Sequence, residues 1–229
     1  MDVARLERIE KYYRVNGLET PALRGVDISI RQHDFMALAG PSGSGKTTML
    51  NIIGCLDKPT NGEVYIGDAR VSDLTRNELA DFRLIHMGFI FQTFNLIPVL
   101  TAFENVEFPL LLEKKYSKEE RQKKVETLLS EVGLRDFMHR RPNQLSGGQQ
   151  QRVAVARALV KNPDMVLADE PTANLDSKTG EDLLQLMQEM NEKHITTFIF
   201  STHDPMVMEF ASRLVKLHDG EIISDEPRP

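Results

Sequence analysis

A chain of 229 residues lies near the upper end of what one hydrophobic core supports, so a single domain with sub-lobes is expected. An ordinary 41% share of hydrophobic residues excludes a disordered or low-complexity chain, and the formal charge of −6, with Lys and Arg spread along the sequence, argues against a nucleic-acid surface. The longest apolar runs, such as Met165–Ala168 and Thr197–Phe200, are far too short to cross a bilayer, and the single cysteine, Cys55, leaves no internal disulfide and fits a reducing compartment.

Met1–Glu10 carries charges throughout and lacks the apolar centre of a secretory signal, so a cytoplasmic location is expected. Leu23, Val26, Ile28 and Ile30 read as a half-buried strand. Phe35–Ala39 reads as a buried strand, followed at once by a Gly-rich turn and a helix through about Leu56. Glu63–Ile66 suggests another strand, and these N-terminal pieces together suggest an antiparallel side-sheet. Ser117 with Glu120 forms a capping-box pattern, after which Val125, Leu128, Leu129 and Val132 keep helical spacing as far as Gly133. A second helix is expected from about Gln149 to Val160, stopped by Asn162-Pro163. Met165–Ala168 and Thr197–Phe200 read as central strands, and Asp219-Gly220 between Leu214–Leu217 and Glu221–Ile223 signals a hairpin. Strands alternating with helices specify an α/β core with a mostly parallel sheet. The expected division is a core of residues 1–92 and 162–229 with a helical lobe, 93–161, inserted in it.

The chemistry starts at Gly40-Pro41-Ser42-Gly43-Ser44-Gly45-Lys46-Thr47, which fits G-x-x-x-x-G-K-[ST] between a strand and a helix. The glycines let successive N–H groups face one anion, and the helix N-terminus adds partial positive charge. Lys46 can reach β- and γ-phosphates, the Thr47 hydroxyl can ligate Mg²⁺, and Thr48 beside it joins the nucleotide-binding set. A loop of this kind binds a nucleoside triphosphate. Asp169 and Glu170 end the strand Met165–Ala168, where open α/β sheets place their ligands. Asp169 would hold Mg²⁺ through water, and Glu170 would polarise an attacking water.

Leu145-Ser146-Gly147-Gly148-Gln149 stands directly before a helix, a pentapeptide that composition alone produces in only about three chains of this length in ten thousand. Phosphate loop, then this pentapeptide, then acidic strand resembles the ABC ATPase family along nearly the whole chain, and implies a P-loop NTPase core of the ABC ATPase fold. Ser146, two glycines and a helix N-terminus make a second anion cradle. In that family the signature closes over ATP held by another subunit, so the resemblance implies that Ser146, Gly147, Gly148 and Gln149 serve a second copy of the chain, two ATP molecules being buried in a head-to-tail homodimer. It also implies roles for Tyr13 (with Tyr12 a competitor) against adenine, for Gln92 at Mg²⁺ and the water, for His203 at the γ-phosphate, and for Asn174-Leu175-Asp176 in the loop that crosses to the opposite subunit. One departure is His33-Asp34 where the family often has Gly-Glu, which puts the local turn shape in doubt. Cys55 is better explained by packing than by redox chemistry.

Phe94–Phe108 is rich in apolar side chains; interior packing explains most of them, and in family transporters the same region receives a coupling helix from the membrane subunit. With Gly54-Cys55-Leu56-Asp57-Lys58-Pro59-Thr60 and Leu145–Arg152, the chain most resembles the subgroup of lipoprotein-releasing ATPases, macrolide-exporter ATPase domains and the cell-division ATPase. The implied partner is an integral membrane permease with a large extracytoplasmic domain, holding the ATPase at the inner face of the membrane. A lipoprotein-release or macrolide-type exporter is the favoured reading, a cell-division-type signalling ATPase the alternative. A soluble ABC ATPase acting on DNA or ribosomes ranks below both.

Overall fold

The structure, a computed structural model, describes residues 1–15 and 17–228. In chain order the elements are β1 (Asp2–Val15), β2 (Leu18–Arg31), β3 (Phe35–Ala39), α1 (Lys46–Ile53), β4 (Asn61–Ile66), β5 (Ala69–Arg70), α2 (Arg76–His86), β6 (Met87–Ile90), α3 (Ala102–Glu113), α4 (Lys118–Glu131), α5 (Gly147–Leu159), β7 (Met165–Asp169), α6 (Ser177–His194), β8 (Thr197–Thr202), α7 (Pro205–Phe210), β9 (Arg213–His218) and β10 (Glu221–Pro227). Among the described residues the strands form two sheets, an antiparallel one in the order β2-β1-β4-β5 and a second in the order β10-β9-β3-β8-β7-β6. In the second sheet only β10 runs antiparallel to its neighbour.

Period-2 alternation along the central strands decides which core each residue joins. Phe35, Ala37, Ala39, Val166, Ala168, Phe198 and Phe200 pack on the face covered by α3–α6. Met36, Leu38, Met165, Leu167 and Ile199 pack on the opposite face, with α1 and the antiparallel sheet. These strands are buried on both faces, which is why they read as continuous apolar runs.

The antiparallel sheet contains a strand, β1, that is not among those expected from the sequence. β1 buries Ala4 and Leu6 and then Ile9, out of step with strict alternation. The register shifts between Leu6 and Ile9 against β2 and between Glu7 and Glu10 against β4, and Arg8 adopts φ 49, the mark of a bulge that returns Ile9 to the same core as Ala4 and Leu6. Gly62 lies against the bulge; a Cβ there would stand 2.4 Å from the Arg8 carbonyl oxygen. The hairpin expected at Asp219-Gly220 forms, both residues having positive φ (48 and 84) as a type I′ turn requires. The helix after the phosphate loop ends at Ile53, short of Leu56, because Gly54 and the left-handed Cys55 (φ 55) turn the chain away. At the unusual His33-Asp34 pair, His33 takes the left-handed turn (φ 69) that glycine would adopt, and its N–H donates to Thr197 Oγ1 (3.1 Å). Asp34 accepts from Arg213 Nη1 (2.7 Å), so the substituted turn is held by long-range contacts.

Candidate functional site

Parallel pairing puts the chemistry at one edge of the central sheet. Ala39 is level with Thr202, and Asp169 with Ser201, so Gly40, Glu170 and His203 all leave neighbouring strands at their carboxyl ends. There a cleft of about 830 Å³ opens, a volume suited to a small molecule. Its walls include Pro41, Ser42, Gly43, Gly45, Lys46, Thr47 and Thr48 on one side and Gln92, Glu170 and His203 on another, with Tyr13, Thr20, Pro21 and Ala22 from β1 and β2 completing it.

The loop that enters α1 has its conformation forced by packing. Gly45, the N-cap of α1, has φ 102, and a Cβ there would stand 2.6 Å from the Ala22 carbonyl oxygen. A Cβ on Gly40 would lie 2.2 Å from the Leu217 carbonyl oxygen. With glycine as its N-cap, α1 has no side chain to satisfy its first N–H groups, whereas α2 to α7 are capped by Thr75, Thr101, Ser117, Ser146, Asp176 and Asp204. The uncapped donors at α1 border the cleft, where an anion can take them. Lys46 is 8% exposed, and its ammonium donates to the carbonyls of Gly40 (2.8 Å) and Pro41 (2.9 Å), which keeps it folded across the loop. The Ser44 side chain is turned inward and buried; among the described residues its Oγ has no hydrogen-bond partner.

Across the cleft, Glu170 sits in the left-handed region (φ 46) just past β7. Its Oε1 lies 2.6 Å from His203 Nδ1, and its Oε2 accepts from the Thr202 hydroxyl (3.2 Å). The Glu170 side chain is 17% exposed and the imidazole 72%, so a partly shielded carboxylate meets a ring open to the cleft. Thr202, which sequence reasoning missed, serves twice, since its Oγ1 also accepts from the Asp204 N–H (3.0 Å). Its only sequence signal is its place beside His203. Thr47 Oγ1 lies 3.4 Å from Asp169 Oδ1.

The loop carrying Gln92 is anchored at several points. Asn174 Nδ2 donates to the Gln92 carbonyl (2.8 Å), and the Arg157 guanidinium of α5 donates to the carbonyls of Phe94 (2.8 Å) and Asn95 (2.5 Å), both left-handed residues. Asn105, 1% exposed, accepts from the Ile97 N–H (2.8 Å) and donates to the carbonyls of Ile97, Leu100 and Thr101. Neither Arg157 nor Asn105 was singled out from sequence, because their partners are backbone atoms of a loop without periodicity.

Of the two tyrosines weighed from sequence, Tyr13 lines the cleft; the Tyr12 backbone N–H pairs with Thr60 Oγ1 (3.1 Å). The signature residues do not join the cleft walls. Ser146 caps α5, accepting from the Gln149 N–H (3.2 Å), while the Gln149 side chain reaches back to the Ser146 N–H (3.0 Å). The serine hydroxyl is thus occupied as an acceptor and retains its proton for a further partner. Asp176 likewise caps α6, and hydrogen bonds from the Thr179 side chain and N–H (2.6 and 3.0 Å) hold its carboxyl below the usual range.

Among the described residues no group of three His, Cys, Asp or Glu side chains is placed to hold a metal by itself. The hard oxygen pair of Thr47 and Asp169, with Gln92 on the same cleft, fits Mg²⁺, which takes few protein ligands and fills its octahedron with water and phosphate oxygens.

The family profile described as ABC transporter matches residues 23–173. The chain is similar to the uncharacterized ABC transporter ATP-binding protein MJ0796 of Methanocaldococcus jannaschii, 50% identical over 225 residues that cover 97% of this chain and 96% of that one. It is also similar to the macrolide export ATP-binding/permease protein MacB of Syntrophobacter fumaroxidans, 46% identical over 97% of this chain but only 31% of that protein. Among solved structures it matches the ATP-binding cassette MJ0796, a dimer in a post-hydrolysis state bound to ADP and Pi, with a TM-score of 0.90, 48% identity and 99% of both chains covered. Phosphate loop, acidic strand end, signature helix and these relatives agree, and the chain belongs to the ABC transporter family as an ATP-binding, ATP-hydrolysing subunit.

Proposed function

We propose that this ATPase closes as a head-to-tail homodimer around two Mg²⁺-ATP and drives an integral membrane permease with a large extracytoplasmic domain, of the lipoprotein-release or macrolide-exporter type. One observation carries the dimer: the chain has two helix N-termini suited to phosphate, and only that of α1 borders the cleft holding Glu170 and His203. The second, at Ser146-Gly147-Gly148, faces elsewhere and serves a nucleotide on another copy, as the dimeric MJ0796 cassette supports. Asp176, which caps α6 just after Asn174 ties to the Gln92 loop, is assigned to the surface that meets the opposite subunit.

In this reading the backbone N–H groups of the phosphate loop and Lys46 bind the β- and γ-phosphates, and Tyr13 receives the adenine. Glu170, oriented by His203 and Thr202, hydrogen-bonds a water and aligns it for in-line attack, while His203 and the partner copy's signature stabilise charge on the γ-phosphate. Thr47, Gln92 and Asp169 (through water) would hold Mg²⁺, which when bound neutralises phosphate charge. Loss of the γ-phosphate releases the contacts between copies, and the movement passes to the permease. The helical lobe, 93–161, is the proposed receiver, since Val99 (70% exposed), Phe108, Leu111 and Leu112 are apolar side chains left exposed in the segment beyond the Gln92 loop. No helix among the described residues is long and apolar enough to cross a membrane, so attachment to the inner membrane face is assigned to the permease.

Glu170→Gln tests the core of this. The variant should bind ATP, release no phosphate and accumulate as a dimer by light scattering when ATP is present. Retained turnover would refute the role of Glu170. Affinity capture of the same variant from native membranes with ATP should recover a permease with a large extracytoplasmic domain; recovery of ribosomal or DNA-binding proteins instead would refute the membrane assignment.

A further inference from the structure

The base end of the cleft is built around Tyr13, and Tyr13 is held from behind. Asp57 Oδ2 accepts from the Tyr13 hydroxyl (2.9 Å), while Oδ1 accepts from Lys11 Nζ (2.7 Å) and from the Lys58 N–H (2.8 Å). Lys11 Nζ also donates to the Lys58 carbonyl (2.7 Å) and stands 5.0 Å from the centre of the Tyr13 ring, on the same side of β1 two residues away. The ring is therefore fixed at its hydroxyl by a carboxylate and flanked by an ammonium, and the surface left over contributes to the cleft with Thr20, Pro21 and Ala22. Burial opposes ionisation of Asp57, but Lys11 and the Tyr13 hydroxyl outweigh it and hold the carboxyl below its usual range.

Asp57 is itself tied to the helix that carries the phosphate loop. Both the Leu56 and Asp57 N–H groups donate to the Asn51 carbonyl of α1 (2.8 and 3.2 Å), after the left-handed turn at Cys55. One rigid helix thus has the phosphate-binding loop at its start and the anchor of the aromatic platform just past its end. Their separation is fixed before any ligand arrives, which removes the cost of ordering the tyrosine on binding.

We infer that Asp57 is a positioning residue for nucleotide recognition: through its hydrogen bond to Tyr13 and its ion pair with Lys11, it sets the aromatic platform at a fixed distance from the phosphate loop. Asp57 acts on the base and not on the phosphates. This rests on the assignment of Tyr13 to the adenine.

A double-mutant cycle on the full chain tests it, with affinities for ATP and for inorganic triphosphate measured by calorimetry. Tyr13→Phe and Asp57→Ala should each weaken ATP by roughly 3- to 10-fold, the value of one hydrogen bond. The double variant should be no weaker than either single, and all three should bind inorganic triphosphate as the parent does. Asp57→Asn, which keeps an acceptor for the hydroxyl but loses the ion pair with Lys11, should weaken ATP less than Asp57→Ala does. Additive losses, or an equal loss of triphosphate binding in Asp57→Ala, would show a merely structural role and overturn the inference. Should Asp57→Ala not fold, Tyr13→Phe decides: unchanged ATP affinity there also overturns it. Tyr13→Ala separates the two layers. If it binds ATP like the parent, the adenine assignment fails; if it loses ATP while Asp57→Ala does not, only the positioning role fails.

Discussion

Asn105→Ala probes whether the Gln92 loop owes its shape to one buried amide. The Asn105 side chain, 1% exposed, satisfies the Ile97 N–H and donates to three carbonyls at Ile97, Leu100 and Thr101. Truncation strands the part-buried Ile97 N–H, at a cost of about 1–3 kcal/mol if water does not reach it, and leaves a void that adds about 1 kcal/mol. The carbonyls lose less, because an unpaired acceptor is tolerated better than an unpaired donor. A total of about 2–4 kcal/mol is a large part of the roughly 5–15 kcal/mol that holds a domain together. With a urea dependence of about 3 kcal/mol per molar for a chain of this size, the unfolding midpoint should fall by about 1 M. ATP turnover should fall as well, because residues 92–101 form one anchored stretch. A midpoint within about 0.2 M of the parent, with turnover intact, would refute the reasoning and show that water replaces the amide without loss.

The phosphate loop and the helix caps give two further tests. Gly45→Ala forces a Cβ into a position 2.6 Å from the Ala22 carbonyl at φ 102, so ATP affinity should drop by roughly 10- to 100-fold while circular dichroism stays that of the parent; retained affinity would mean the loop can shift at little cost. Glu78, Glu104 and Glu120 accept hydrogen bonds from the N–H of their own capping residues, Thr75, Thr101 and Ser117, and those bonds hold each carboxyl below the usual range. Because the folded-state pKa is depressed, this stabilisation is present above the ordinary carboxylate range and is lost as pH falls through the lowered values. Amide exchange in the first turns of α2, α3 and α4 should therefore accelerate on acidification, beyond its intrinsic pH dependence, and Glu104→Gln should remove that acceleration for α3 alone.

Local demands were written in the sequence. The phosphate loop is legible because its geometry needs glycine at particular steps, as Gly40 and Gly45 show, and the Asp219-Gly220 hairpin because a type I′ turn needs two positive φ values. The buried strands Phe35–Ala39 and Met165–Ala168 declared themselves by apolar runs, and the capping box at Ser117 by its spacing. The same S/T-x-x-E spacing stands at Thr75 and Thr101, where it starts α2 and α3, two helices beyond those expected above. β1 is masked because the bulge at Arg8 breaks its alternation, and α6 because its cap, Asp176, has Thr179 and not Glu or Gln three residues on, so no capping box marks its start.

Tertiary structure decided what meets what. Parallel registers between segments more than 30 residues apart bring Gly40, Glu170 and His203 to one edge, and no local pattern encodes such pairings. That Tyr13 and not Tyr12 lines the cleft follows from which face of β1 the register turns to it, a consequence of pairing with β2 and β4. The sequence announced two helix N-termini whose residue types suit phosphate; only the fold shows that one borders the cleft and the other does not, because their separation depends on how α1 and α5 pack on opposite faces of the central sheet.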